Sequence, residues 1–203
     1  DDGRIMREGI NTVIVGKPNA GKSSLLNVLL GEDRAIVTNI AGTTRDVLEE
    51  HIQLRGISIN IMDTAGIRNT EDVVEKIGVD KALSYAEEAD LIIYVVDASV
   101  PLDDNDIEII HMIQNKKAVI LLNKSDLSTV INKKELKVWI NKPMIEISTK
   151  EETGIHELEE TLEHMFYKGE ISFNNEVYIT NVRHKKALQD AYASLEKVKE
   201  SIE

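Results

Sequence analysis

The sequence has no cysteine, one tryptophan, two phenylalanines and three prolines among its 203 residues. The lack of cysteine excludes a disulfide framework and predicts a reducing, cytoplasmic location. No apolar run approaches the roughly 18 residues of a transmembrane helix; the longest, Leu91 to Val96, has the length of a strand. The chain opens with neither a signal peptide nor Met, so we expect a piece of a longer cytoplasmic protein with no membrane partner.

Basic residues are also scarce, since 24 Lys and Arg stand against 36 Asp and Glu and leave a formal net charge of -12. A surface this acidic repels a polyphosphate backbone, so we do not expect the chain to bind RNA or DNA by itself. Hydrophobic residues at 42% and charged residues at 30% indicate a globular protein rather than a disordered one.

Apolar strand-length runs alternate with helical patterns along most of the chain. The predicted strands are Thr12–Gly16, Val47–Leu54, Ile57–Met62, Leu91–Val96, Ala118–Leu122 and Met144–Ile147. The predicted helices are Ser23–Leu30, Val73–Ala89, Ile107–Gln114, Lys133–Ile140 and Ile155–Tyr167. Arg55 and Gly56 predict a hairpin turn between the second and third strands. This alternation predicts an α/β fold whose mostly parallel six-stranded sheet has helices on both faces.

The pattern changes after Tyr167. Residues 168–175 are polar, and a C-terminal helix is predicted from Asn181 to the end of the chain. Its apolar stripe has a heptad-like spacing and consists of Leu188, Ala191, Leu195, Val198 and Ile202. We expect this stripe to pack against a helix outside the α/β unit, the alternative being that it packs back on the unit itself.

A phosphate-binding motif follows the first predicted strand and precedes the first predicted helix. Residues 16–23 read GKPNAGKS and match GxxxxGK[ST], in which the backbone N–H groups and the helix N-terminus face the phosphates. Lys22 is expected to reach the β- and γ-phosphates, and the Ser23 hydroxyl to bind Mg²⁺. The predicted nucleotide contacts of this P-loop are Asn19, Ala20, Gly21, Lys22, Ser23 and Ser24.

Two further segments complete the predicted phosphate side. Asp63 directly follows the predicted strand Ile57–Met62 and is expected to bind Mg²⁺ indirectly, while the backbone of Gly66 approaches the γ-phosphate. In the polar loop 38–46 we predict Thr44 as a Mg²⁺ ligand when GTP is bound, with Thr38 and Thr43 as further nucleotide contacts. The alternative is that this loop is a plain connection.

The segment Asn123–Asp126, with the sequence NKSD, is predicted to recognise guanine. The Asp126 carboxylate can accept hydrogen bonds from guanine N1 and N2, where adenine offers no matching pair of donors. Asn123 is expected at the N7 edge, and the stem of Lys124 over the ring. An ordinary strand-end turn is the alternative. The pocket is expected to be completed by Ser148, Thr149 and Lys150, although Thr149 stands where related proteins usually carry Ala.

Together the segments GKPNAGKSSLLN, NIAGTTRDV, DTAGIR and NKSD resemble the bacterial Era-like GTPases. The segments 74–78 and 180–184, and the lead-in 2–9, narrow the resemblance to the MnmE family of tRNA modification GTPases. The resemblance implies a Ras-like P-loop G domain that hydrolyses GTP to GDP and takes part in tRNA wobble-uridine modification. It also implies that residues 10–167 form a G domain inserted into a helical domain. Residues 1–9 would be a linker from the first half of that domain, and residues 168–203 a linker and the start of its second half.

The water-orienting glutamine that many GTPases carry after Gly66 is replaced here by Ile67, which cannot hydrogen-bond to water. The Asn19 amide oxygen is therefore predicted to bind a monovalent cation beside the phosphates, with the backbone carbonyls of Thr38 and Ile40 completing the site. The resemblance implies that this cation is K⁺. The alternative is that Asn19 only shapes the loop.

The resemblance also implies that two G domains pair through their switch segments during hydrolysis. Glu75 is then expected to position the attacking water, unless it is merely a solvated helix carboxylate; Arg45 and Arg68 remain alternative cations. The predicted catalytic residues are thus Glu75, Lys22, Thr44 and Gly66. The implied partners are a second G domain and, through the full-length protein, an FAD-dependent tRNA-modification protein, while tRNA is not expected to bind this fragment alone.

Two other functions compete with this interpretation. An Era-like ribosome-assembly GTPase shares the P-loop asparagine, and a regulatory switch with negligible hydrolysis is consistent with Ile67. The five histidines show no spacing typical of a metal site and are predicted to be structural or on the surface. Trp139 is predicted to be a packing residue.

Overall fold

The computed structural model describes residues 2–31, 50–62 and 87–166. These residues form a six-stranded sheet with the strands β1 Ile10–Val15, β2 Glu50–Leu54, β3 Ile57–Ile61, β4 Leu91–Asp97, β5 Ala118–Asn123 and β6 Met144–Glu146. The helices are α1 Asp2–Glu8, α2 Lys22–Leu29, α3 Asp104–Ile113, α4 Lys133–Trp139 and α5 Ile155–Phe166.

The strand order is β2-β3-β1-β4-β5-β6, and only the β2–β3 pair is antiparallel within this sheet. The prediction of a mostly parallel six-stranded sheet with helices on both faces is therefore confirmed. Because β1, β4, β5 and β6 are parallel, the loops that follow them emerge at the same edge of the sheet, where α/β proteins bind ligands.

The hydrophobic core has two parts, one on each face of the sheet. One part contains Leu26 of α2 and Leu158 of α5, and the other contains Ile110 of α3 and Leu136 of α4. Every residue of β5 is buried, which explains its uninterrupted apolar run from Ala118 to Leu122. Because the central strands are packed on both faces, their positions are well defined. The edge from which the loops emerge is therefore well defined too.

The β2–β3 hairpin turns at the predicted pair of residues. Arg55 and Gly56 both have positive φ, 50° and 85°, as in the two-residue turns whose twist matches that of antiparallel strands. The strands on either side pair in register from Glu50 opposite Ile61 to Leu54 opposite Ile57. The hairpin prediction is confirmed, and residues 47–49 of the predicted second strand lie outside the described residues.

Helix α3 begins at Asp104, three residues before the predicted start at Ile107. The reason is its cap: the Asp103 side chain accepts hydrogen bonds from the amides of Asn105 and Asp106, and the Asp106 side chain accepts from the amide of Asp103. This reciprocal arrangement satisfies N–H groups that an uncapped first turn would leave without acceptors.

The lead-in segment forms a helix, α1, which the sequence pattern did not predict. Arg4 pairs with Asp90 just before β4, and the carbonyl of Glu8 accepts from the Asn60 side chain at 2.7 Å. Ile5 packs on the core part that α2 and α5 cover. These contacts attach the lead-in to the sheet.

The packing role expected for Trp139 is wrong, because this side chain is 60% exposed. In α4 the residues that face the sheet are Leu136 and the capping residue Ile140, four positions apart, which turns Trp139 outward. The histidines among the described residues are exposed as predicted, namely His51, His111, His156 and His164.

Several predicted elements lie outside the described residues. They are most of the helix Val73–Ala89, the loop 38–46, residues 63–66 and the C-terminal helix from Asn181. Within the described ranges, no helix combines the length and the apolar character needed to cross a membrane.

We predict that Gly154→Ala destabilises the fold far more than Gly56→Ala. Both glycines have a left-handed φ, 78° and 85°, so both changes incur backbone strain of about 1 kcal/mol. A Cβ at Gly56 meets open space, whereas a Cβ at Gly154 lies 2.3 Å from the carbonyl oxygen of Glu146. The added overlap should lower the free energy of unfolding by a further ~2 kcal/mol or more.

Urea unfolding followed by circular dichroism measures both variants against the parent chain. Equal losses in the two variants would show that the close approach between Gly154 and Glu146 has no effect on stability.

Candidate functional site

The P-loop connects the end of β1 to the start of α2. Gly21 caps α2 with a left-handed φ of 104° and no side-chain hydrogen bond, and the first turn of α2 has no acidic residue. The first N–H groups of this helix and its dipole therefore give this point a positive potential. Such a helix N-terminus favours an anion, as the predicted phosphate site requires.

Lys22 folds its side chain back over the loop. Its Nζ donates to the carbonyl oxygens of Gly16 and Lys17, at 2.7 Å each. Burial lowers the pKa of Lys22 to about 8. Carbonyl oxygens carry no net charge, so the positive charge of this ammonium group is left to interact with an anion.

The other predicted P-loop contacts occupy the same turn. Asn19 is exposed and has a φ of 61°, a conformation that asparagine tolerates better than most residues. Ser23 and Ser24 lie in the first turn of α2. Among the described residues no group of three or more His, Asp or Glu side chains could hold a metal ion. A Mg²⁺ ion at the Ser23 hydroxyl would take further oxygen ligands, such as nucleotide phosphates.

The amide of Asn123 joins three segments of the site. Its side chain, in a residue that is 1% exposed, donates to the Ala20 carbonyl at 2.8 Å and accepts from the Thr149 amide at 3.1 Å. A Cβ on Gly21 would lie 2.1 Å from Asn123 Nδ2, so only glycine allows this approach. The sequence reasoning missed this bracing role, and the expected contact of Asn123 with guanine N7 stays a prediction.

Asp126 lies beside the loop that follows β6. One carboxylate oxygen accepts from the Ser148 hydroxyl at 2.7 Å, and the Lys150 ammonium lies 3.9 Å from the other. The Ser148 hydrogen bond, more than the nearby lysines, holds the pKa of Asp126 below its usual range. The group is therefore a charged acceptor, which suits the two N–H donors of guanine.

Lys124 has a partner that the sequence reasoning missed. Its φ is 65°, and its ammonium pairs with Asp97 at the end of β4. Burial alone would raise the pKa of Asp97, but Lys124 and the hydroxyl and amide of Ser99 hold it below its usual range. The position of Asp97 at the end of a strand could have indicated this pair. Its strand, β4, is parallel to β5, and its register partner, Asn123, immediately precedes Lys124.

Lys17 has two acidic partners that were also missed. Its Nζ lies 2.6 Å from Asp106 and 2.8 Å from Asp103, the two residues that cap α3. Burial alone would lower the pKa of Lys17, but the two carboxylates outweigh it and raise the pKa.

The structure thus brings twelve of the predicted residues to one edge of the sheet, at the end of β5, in the loops after β1, β5 and β6, and in the first turn of α2. They are Asn19, Ala20, Gly21, Lys22, Ser23, Ser24, Asn123, Lys124, Asp126, Ser148, Thr149 and Lys150. The others lie outside the described residues, and their roles stay predictions: Thr38, Ile40, Thr43, Thr44, Asp63, Gly66 and Glu75.

We predict that the affinity for GDP falls as the pH rises above about 8. A phosphate beside Lys22 favours its charged form, so binding raises the pKa of Lys22 from its value of about 8. Below that pH the ammonium is already charged and the affinity is flat; above it, the dissociation constant should rise by up to about tenfold per pH unit.

Titration calorimetry with GDP and with guanosine separates this effect from ionisation of the base, because guanosine carries no phosphate. A ratio of the two affinities that does not change between pH 7 and pH 9 would refute a role for the Lys22 charge.

We predict that Asn123→Asp weakens both the fold and GDP binding. A carboxylate still accepts from Thr149 but cannot donate to Ala20, and it places an unpaired charge in a buried position. The free energy of unfolding should fall by about 1–3 kcal/mol or more, and the GDP dissociation constant should rise at least tenfold.

Asn132→Asp is the matched control, because Asn132 is exposed and caps α4 through its side-chain oxygen, a role that Asp fills equally well. The change removes only the hydrogen bond from the Asn132 amide nitrogen to the exposed Glu135 carboxylate, at 3.2 Å. Urea unfolding and GDP titration should leave this control near the parent. Equal behaviour of the two variants would show that the Asn123 brace is dispensable.

Comparison with known proteins gives concordant matches. The profile of the family described as 50S ribosome-binding GTPase matches residues 11–124. The tRNA modification GTPase MnmE of Lachnoclostridium phytofermentans is 58% identical over 203 residues, which is 100% of this chain and 44% of that protein. MnmE of Alkaliphilus metalliredigens is 53% identical over 96% of this chain and 42% of that protein. The chain thus spans less than half the length of these curated relatives.

Among solved structures, the chain is similar to Era from Aquifex aeolicus bound to GDP and aluminium fluoride. The TM-score is 0.54 at 29% identity, over 83% of this chain and 60% of that chain. The family match includes the whole P-loop and runs to Lys124, so it contains the phosphate-binding turn and the asparagine that braces it. The chain is therefore a GTPase that belongs to the 50S ribosome-binding GTPase family, and the resemblance to the MnmE-type tRNA modification GTPases is confirmed over its whole length.

Proposed function

We propose that this chain is the GTP-hydrolysing part of a longer protein that takes part in tRNA wobble-uridine modification, and that K⁺ and pairing of two G domains activate its hydrolysis. The observation that carries the tRNA assignment is the 58% identity to an MnmE protein along all 203 residues. The likeness to Era favours a ribosome-assembly role as the second candidate, but at only 29% identity.

In the proposed site, the nucleotide lies along the edge formed by the loops after β1, β5 and β6. The α2 N-terminus and Lys22 bind the phosphates, and Asp126 accepts from guanine. Mg²⁺, when bound, neutralises charge on the β- and γ-phosphates, and the Ser23 hydroxyl together with Thr44 and Asp63 would hold it. The chain's own contribution is orientation: the Asn123 brace sets the distance between the phosphate and base ends.

The K⁺ proposal rests on Asn19 and Ile67. Asn19 presents an exposed amide from the turn of the P-loop, where an oxygen ligand can lie beside the phosphates. Ile67 cannot orient water, and a cation beside the phosphates offsets charge that develops during hydrolysis. The backbone carbonyls of Thr38 and Ile40 are the proposed remaining protein ligands.

Further proposals concern partners and domain boundaries. Glu75 positions water when two G domains pair, and the full-length protein acts with an FAD-dependent partner. Residues 1–9 and 168–203 belong to segments that connect the G domain, residues 10–167, to a helical domain. The contacts of α1 with Asp90 and Asn60 support an attached lead-in rather than a loose one.

We predict that GTP hydrolysis with Mg²⁺ is at least tenfold faster in KCl than in NaCl, and that this advantage grows with protein concentration. Asn19→Gly should remove most of the K⁺ advantage while GDP affinity stays within about threefold. Glycine is the right replacement, because the φ of 61° would strain alanine and confound the result.

Asn19→Asp is the matched control, since it keeps an oxygen ligand and should retain a K⁺ advantage. Equal, slow GTP turnover of the parent chain in both salts would contradict activation by K⁺. A K⁺ advantage that survives in Asn19→Gly would place the cation elsewhere.

The tRNA assignment needs the full-length protein. Cells whose only copy carries Asp126→Asn should lose wobble-uridine modification, measured by mass spectrometry of tRNA nucleosides. Loss of ribosome assembly with intact tRNA modification would favour the second candidate instead.

A further inference from the structure

Asp106 is the centre of a polar cluster that joins the P-loop to the N-terminus of α3. One of its carboxylate oxygens accepts from the Tyr94 hydroxyl at 2.7 Å, and the other accepts from the Asp103 amide at 3.0 Å and lies 2.6 Å from Lys17 Nζ. Asp106 is only 1% exposed and Tyr94 is fully buried. Hydrogen bonds from β4 and from the N-terminus of α3 therefore hold the Asp106 carboxylate in place, and the Lys17 ammonium pairs with this carboxylate.

Lys17 also belongs to the phosphate-binding turn. Its carbonyl oxygen accepts from Lys22 Nζ at 2.7 Å, so its side chain and its backbone have different partners. The side chain is attached to the N-terminus of α3, and the backbone helps to hold Lys22. Pro18 follows and disfavours helical conformations of the Lys17 backbone, which narrows the directions in which the Lys17 carbonyl can point.

We propose that Lys17 is a positioning residue for phosphate binding. Its ion pair with Asp106 and Asp103 anchors the P-loop backbone to the start of α3, and through the Lys17 carbonyl it sets the position of Lys22. A loop whose N–H groups and ammonium are already in place binds phosphates without the cost of ordering them. The cluster thus extends the nucleotide site to residues that do not touch the nucleotide.

The competing explanation is that Lys17 only stabilises the fold. The two roles can be separated by changing the charge of Asp106. Asp106 is buried, so removing Lys17 leaves an uncompensated carboxylate that destabilises the fold on its own. Neutralising Asp106 as well relieves that penalty. An asparagine at 106 can accept from the Asp103 amide and donate to the Tyr94 hydroxyl, which then acts as an acceptor. The double change therefore restores stability but leaves the loop without its anchor.

The test uses the 203-residue chain and four variants: Lys17→Met, Lys17→Arg, Lys17→Met with Asp106→Asn, and Lys137→Met. Methionine keeps an unbranched stem without the charge, and arginine keeps the charge. Lys137 is an exposed lysine on α4, on the same face of the sheet as α3. Urea unfolding by circular dichroism gives stability, and titration calorimetry with GDP and Mg²⁺ gives affinity.

We expect Lys17→Met to lower the unfolding midpoint and to raise the GDP dissociation constant at least about tenfold. In the double variant the midpoint should recover while the dissociation constant stays raised by a similar factor. In Lys17→Arg the GDP dissociation constant should remain within about threefold of the parent value, because arginine keeps the positive charge. In Lys137→Met it should equal the parent value. If Lys17→Met does not fold, the double variant carries the test.

Parental affinity in a double variant whose stability has recovered would overturn the proposal, because Lys17 would then serve only to balance the charge of Asp106. A similar loss of affinity in Lys137→Met would overturn it as well, since the effect would then come from net charge.

Discussion

The side-chain amide of Asn123 connects the P-loop, the end of β5 and the loop that follows β6. Parallel strands bring the carboxyl ends of β1, β5 and β6 to one edge of the sheet, but strand pairing alone does not set how the loops beyond that edge lie against each other. The bonds from Asn123 to Ala20 and Thr149 do so at the level of single atoms. The approach of Gly21 and the pairing of Ser148 with Asp126 both occur beside this brace.

The lysines around this brace differ in their partners, because two face carboxylates and one faces carbonyl oxygens. Lys124 faces Asp97, and Lys17 faces Asp103 and Asp106, so these two ammonium groups are largely neutralised where they lie. Lys22 is held by carbonyl oxygens instead. In a chain with a net charge of -12, this concentrates the positive potential of the edge at the N-terminus of α2. An acidic protein can bind a polyphosphate because its attraction is local.

The sheet and the position of the site were predictable from sequence because each depends on short-range patterns. The uninterrupted apolar run of β5, the Arg55–Gly56 turn and the P-loop spacing all lie within a few neighbouring residues. The start of α3 was predicted late because its cap depends on the reciprocal bonds of Asp103 and Asp106, not on apolar spacing.

The pairs of charged residues were not predictable in the same way. Lys17 and Asp103 are 86 positions apart, and Lys124 and Asp97 are 27 apart. No periodicity links residues at such separations; only the strand order and register bring them together. Trp139 shows the opposite error, since its large apolar side chain suggested burial while the geometry of α4 turned it outward.

The exposure of Trp139 has a spectroscopic consequence. It is the sole tryptophan of the chain, so all indole emission comes from the outer face of α4. An indole that already meets water in the native state changes little in surroundings when the polypeptide loses its structure, and intrinsic fluorescence is therefore a poor gauge of folding here. The same property makes this residue a built-in optical reporter for any molecule that covers α4.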